Sequence, residues 1–224
     1  LFPDVPHFSV RKIFFELIKK SFLVLAFLAI FFGAATEVVM NQFASTFMEM
    51  AILLPKVTGD IFGMAGFAAM LGIGRLIMSK KGAQYSIYKV LVKSSILAFV
   101  CYIVVALSPF PWISVIACIF TGLASSMLWP GALIITSEKF PGAGSWIFAL
   151  LAASGDVGAG SGPLLTSIII EKSLNNGFTG FFADLYNITS EQAALRIGIL
   201  FAAVFPAITL IIHLLLSRLR KSDN

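Results

Sequence analysis

The chain has 224 residues, 58% of them hydrophobic and only 12% charged, against the roughly 25% charged of an ordinary soluble domain. A chain this apolar lacks the polar residues to cover itself in water, so a soluble globular protein is excluded and lipid is its natural solvent. The net charge of +5 would suit nucleic acid, but every basic cluster flanks an apolar run and no basic–aromatic patch stands apart from them.

In chain order, the sequence begins at Leu1 with no cleavable signal pattern, which leads us to expect an upstream part. Residues 1–20 read as a cytoplasmic linker with Pro3 and Pro6, followed by a segment (10–20) that alternates apolar and basic residues at helical spacing and suits a membrane surface. Six apolar runs of spanning length follow, at 21–47, 58–78, 86–107, 112–136, 145–170 and 192–217. Turn signals separate them at Pro55, Lys80-Lys81-Gly82, Ser108-Pro109-Phe110-Pro111 and Pro141-Gly142. A longer polar stretch, 171–191, precedes the last span, and residues 218–224 read as a cytoplasmic tail. The expected fold class is an all-α membrane protein, a six-helix transmembrane bundle.

Charge orients the bundle. Of the 16 Lys and Arg residues, all but Lys56, Lys172 and Arg196 fall on the side that holds both termini. The positive-inside rule makes that side cytoplasmic, in a plasma membrane such as the bacterial inner membrane. The opposite side carries Glu49, Asp60, Glu171, Asp184 and Glu191. Trp112 and Trp146 fit interfacial belts, and His213, near the inner end of the last span, reads as an interfacial residue. Asn187-Ile188-Thr189 matches a glycosylation triplet, a pattern common by chance.

Two acids lie where lipid tolerates them poorly. Glu37 sits about 24 Å past the start of its span and Asp156 about 17 Å past the start of its own, both in the middle third of the bilayer. Each needs a cavity, a partner or a proton, and no basic residue is expected at matching depth. Asn41, one turn beyond Glu37, and the neighbouring Gln42 extend a polar stripe along the first span. That stripe reads as a solute- or proton-binding face, or as a hydrogen-bonded clamp between helices. Asp156 stands among Gly155, Gly158, Gly160, Gly162 and Pro163, residues that remove bulk and either flex a helix at a gate or let it pack closely. Pro130 breaks the fourth span, and the adjacent Trp129 has a ring face available to a sugar. The third and sixth spans have few polar residues in their middles and are expected to face lipid. The other four would then surround a path.

Cys101 and Cys118 lie in apolar runs without a CxxC or Cys/His cluster, so neither a disulfide scaffold nor a metal site is expected. No HExxH or GxSxG occurs, no motif calls for a cofactor, and an enzyme is not expected.

The chain resembles the C-terminal half of a major facilitator superfamily transporter, most closely the fucose-permease-like sugar branch. The likeness rests on Phe32-Gly33-Ala34-Ala35-Thr36-Glu37, on Gly72-Ile73-Gly74-Arg75 followed by Lys80-Lys81-Gly82, and on Trp129-Pro130-Gly131 through Gly162-Pro163. The second stretch lacks the Asp that usually precedes the Arg in the family's cytoplasmic loop motif. The resemblance implies half of a twelve-helix fold whose other six helices lie upstream, with a solute site at the midplane and rocking alternating access. On that reading Glu37, Asn41, Gln42 and Trp129 contact a small polar solute. Glu37 or Asp156 carries a coupled proton, and Arg75, Lys80 and Lys81 form a cytoplasmic gate or an anchor to anionic lipid. Sugar is the favoured solute; a drug, a nucleoside or an organic ion stays open. The competing expectation is a six-helix channel or an oligomerising membrane subunit.

Overall fold

A computed structural model describes residues 21–141 and 145–222, and among them there is no strand. Six helices among the described residues are long and apolar enough to cross a membrane: α1 (Ser21–Ala51), α2 (Lys56–Lys81), α3 (Ile87–Leu107), α4 (Pro111–Lys139), α5 (Ser145–Asn175) and α7 (Ser190–Leu219). A short helix, α6 (Thr179–Tyr186), lies between the last two. Several of the helices run about a turn beyond the apolar runs. The expected linker and surface segment of residues 1–20 lie outside the described residues, as do Gly142 and the last two residues of the expected tail; helical backbone continues from α7 to Ser222.

Local breaks follow from the residues present. Pro206 has no N–H to give the carbonyl four residues back, and α7 turns at Ala203 between Ser190–Ala202 and Val204–Ser222. Pro130 acts likewise in α4, which divides at Ser126 and Met127 into Pro111–Ser125 and Leu128–Lys139. By contrast α5 continues through Pro163. The facing ends of α1 and α2 widen into π-helical turns at Phe47–Ala51 and Gly59–Ala65. Thr189 and Gln192 form a capping box that starts α7, and Asn187 ends α6 in the left-handed region, so both polar residues of the glycosylation triplet have local structural uses.

Two apolar clusters fill the bundle. One joins the second half of α1 to the end of α3 and the starts of α4 and α7. The other joins the first half of α1 to the start of α3, the ends of α4 and α7 and the start of α5. Successive spans therefore run in alternating directions, and both ends of the described bundle, Phe22 and Leu216, share one cluster. Helix α1 is central, with α5 packed along its length and α4 and α7 on its other sides. Small residues permit this. A Cβ on Gly158 would lie 2.1 Å from the carbonyl oxygen of Phe31, so the α1–α5 contact requires glycine there.

The lipid-facing expectation for the third and sixth spans fits one face of each, where Ile96 and Val100 of α3 and Ile211 and Leu214 of α7 are exposed, but not the other. Helices α3 and α7 pack on each other and bury Ser95, Tyr102, Arg196, Thr209 and His213. Each of these side chains bonds a carbonyl or another of the set, although Arg196 Nε and His213 Nε2 are buried without a partner. The least buried spans are α2 and then α5, whose outer faces no other helix of the bundle covers.

Candidate functional site

The site is built where α1, α2 and α4 meet. Gly74 is buried against α4, and a Cβ there would lie 2.3 Å from the Ser126 hydroxyl. The missing side chain lets α2 approach α4 at its break. The next residue, Arg75, then reaches two acceptors. Its Nε donates to the Ser126 carbonyl at 3.4 Å. That carbonyl is the one Pro130 leaves without a helical donor, so the proline makes the acceptor that holds the arginine. Its guanidinium also donates to Glu37 at 3.4 Å, completing an ion pair.

The expectation that no basic residue reaches the depth of Glu37 is therefore wrong. Arg75 lies about 9 Å from the end of α2 along the axis, and its long side chain extends its reach further. The pair is partly wet: the Glu37 side chain is 18% exposed and that of Arg75 44%. Arg75 and Pro130 also line a cavity of about 610 Å³ with Ser79, Tyr85, Ser86 and Glu138. The cavity lies at the bundle end that carries Lys80, Lys81 and Lys139. It combines an arginine, a carboxylate and hydroxyl groups with an apolar wall, a lining suited to a small polar molecule.

The remaining candidates are placed as follows. Asn41 is half-buried and Gln42 exposed, on the course of α1 beyond Glu37. Farther along the same α1–α2 seam, the Ser45 hydroxyl donates to Asp60. Trp129 does not line the cavity. Its ring packs on Gly155 of α5, and its Nε1 is buried without a hydrogen-bond partner. Asp156 is exposed on the outer face of α5, on the side opposite the glycines that meet α1. Gly155, Gly158 and Gly162 form the packing edge toward α1, whereas nothing approaches Gly160. Pro163 is half-buried within continuous helix. Lys80 and Lys81 are exposed at the end of α2 and do not line the cavity. Among the described residues, no group of three or more His, Cys, Asp and Glu is placed to hold a metal ion.

Two polar centres went unread in the sequence. Arg196 is only 4% exposed, and its guanidinium donates to the carbonyls of Ala106 and Ser108, each at 2.9 Å. It also lies over the ring of Tyr186, 4.9 Å from its centre, while the Tyr186 hydroxyl donates to Leu107 at 2.7 Å. This clamp ties α7 and α6 to the end of α3. The signal was an arginine two turns inside an apolar helix begun by a strong cap. His213, expected at the interface, is instead 1% exposed, with its Nδ1 2.8 Å from the Ser95 hydroxyl. Its burial follows from Thr209, Ile212 and Leu216, which share its face and are all buried.

No protein family, characterised protein or solved structure matches this chain.

Proposed function

We propose that this chain is one six-helix half of a secondary transporter for a small polar solute, a sugar in the first instance, working by alternating access with Glu37 as the proton-coupling group. The observation that carries the reading is the Glu37–Arg75 pair, whose arginine lines a cavity of roughly 610 Å³ while Glu37 lies behind it, outside the lining. A transport path needs both a site and a way in.

The steps follow from the chain's own groups. With Glu37 ionised, Arg75 holds it at 3.4 Å and α1 is tied to α2 and α4. A proton arriving from water through the cavity neutralises the carboxylate and cancels its attraction to Arg75. The guanidinium keeps the Ser126 carbonyl, and Glu37 becomes free to hydrogen-bond a solute hydroxyl with Asn41 and Gln42. The buried, unpartnered Nε1 of Trp129 is a further donor that a rearranged α4 brings to the solute. Loss of the pair loosens the α1–α2 seam, the change that biases one access state over the other.

The uncovered faces of α2 and α5 are the surface for a second six-helix half, and Asp156 on α5 would face it. Major facilitator transporters, which the sequence resembles, use such a pairing of halves. The same exposed Asp156 favours one competing reading, an oligomeric channel whose copies pair through α5. Mass measurement in lipid nanodiscs separates the two, since the channel requires a homo-oligomer.

The test is uptake of labelled hexoses and deoxyhexoses by the complete protein in sealed vesicles with an imposed pH gradient. The reading predicts gradient-driven uptake that loses its pH dependence in Glu37→Gln. Uptake in Glu37→Gln and Asp156→Asn that still follows the gradient removes the proton role from both acids.

A further inference from the structure

Helices α2 and α3 each pack on the first half of α4 but hardly on each other. Between them lies a groove of about 330 Å³, with Leu123 and Met127 of α4 as its floor and Ile77 and Leu97 on its walls. It opens on the outside of the bundle, where Ile77 and Leu97 are exposed. In a membrane that surface meets lipid. The groove is not a plain apolar cleft, because Lys93, Ser94 and Tyr85 also line it.

We propose that this groove is a binding site for one anionic phospholipid, an acyl chain lying on the α4 floor and the headgroup phosphate held by Lys93. Charge points to this occupant. No Asp or Glu lines the groove, and among the described residues Lys93 has no ion-pair partner. Lys93 stands about 9 Å along α3 from its start at Ile87. From there its ammonium snorkels back to headgroup level while its methylene stem lies along the apolar wall. Lys89 on α3 and Lys80 and Lys81 on α2 raise the positive potential at the same bundle end. Tyr85 and Ser94 add hydroxyl donors for phosphate or glycerol oxygens. The inference needs only that the chain spans a membrane and is independent of the transport reading. Its consequence is that a bound lipid would sit against Gly74, Ile77 and Met78 of α2, and so bear on the helix that carries Arg75.

The test is native mass spectrometry of the full chain after delipidation, with phosphatidylglycerol or phosphatidylcholine added back. One phosphatidylglycerol per chain is expected to be retained in preference to phosphatidylcholine. Lys93→Gln is expected to lower its retention about fivefold, Lys93→Arg to preserve it, and Lys172→Gln, at the other bundle end, to leave it unchanged. Equal retention in Lys93→Gln and wild type overturns the proposal, as does equal retention of the two lipids. Displacement of the lipid by millimolar glycerol phosphate also overturns it, by assigning the site to a free phosphate.

Discussion

Neutralising Arg75 is predicted to cost more than neutralising Arg75 and Glu37 together. At 3.4 Å two unit charges attract by about 5 kcal/mol for an effective dielectric near 20. Water screens this pair from the Arg75 side, which is 44% exposed. Fully exposed pairs return about 0.2–1 kcal/mol, while removing one partner of a desolvated pair costs about 3–5 kcal/mol. Glu37, at 18% exposure, lies nearer the second limit. Arg75→Gln strands that carboxylate in the membrane and is expected to cost about 2 kcal/mol. Glu37→Gln strands a guanidinium that can extend to water and is expected to cost about 1 kcal/mol. The double variant strands nothing and should lose only about 1–1.5 kcal/mol, leaving a coupling of about 1.5–2 kcal/mol. The assay is thermal unfolding in nanodiscs of fixed lipid composition. For a chain of this size Arg75→Gln should lower the apparent midpoint by about 4–8 °C, with Glu37→Gln and the double variant each lowering it by roughly half as much. Losses that simply add in the double variant would refute the reasoning, because they would show that the two groups do not share an interaction.

The glycines of α5 should separate cleanly by position. Gly158→Ala drives a Cβ against the Phe31 carbonyl and is expected to cost about 1–3 kcal/mol or more, whereas Gly160→Ala meets nothing and should be neutral or stabilising by up to about 1 kcal/mol, both read as midpoint shifts. Arg196→Met removes the donors to Ala106 and Ser108 and should cost about 2–4 kcal/mol in the same assay. Ser95→Ala leaves the buried His213 Nδ1 without its partner and should cost about 1–3 kcal/mol, and adding His213→Leu should recover part of that loss. Gly74→Ala should displace Arg75 from Ser126, so its midpoint should fall and a subsequent Arg75→Gln change should cost less than in the wild type.

The six helices were legible because spanning length and apolar composition are local properties, and each run carries its own turn signals. The site was legible only in part. Glu37 announced itself as an acid far from either end of an apolar span, and Pro130 as a break. Their connection did not show, because it runs through Arg75, a residue that charge counting assigns to the basic flank of α2. Only the approach permitted by Gly74 brings it to Ser126 and Glu37. Counting polar residues along each span misjudged α3 and α7 for a related reason. Arg196 and His213 are single residues in apolar sequence, yet each sits on a buried face with partners contributed by another helix. Asp156 shows the converse: its sequence setting among packing glycines gave no sign that it points away from them.

The account turns on whether the α1 face bearing Glu37 and Asn41 lines a water path that opens to one side at a time. Cysteine placed at Asn41 in the complete protein, in oriented sealed vesicles, tests this with a membrane-impermeant thiol reagent; the native Cys101 and Cys118 are buried and serve as the background. The account predicts that Asn41→Cys labels from either side, that added solute or a pH step shifts labelling from one side toward the other, and that Ala29→Cys in the buried core stays silent. Labelling of Asn41→Cys from neither side would make the stripe a structural clamp, and equal labelling from both sides, insensitive to solute and pH, would make the path a channel.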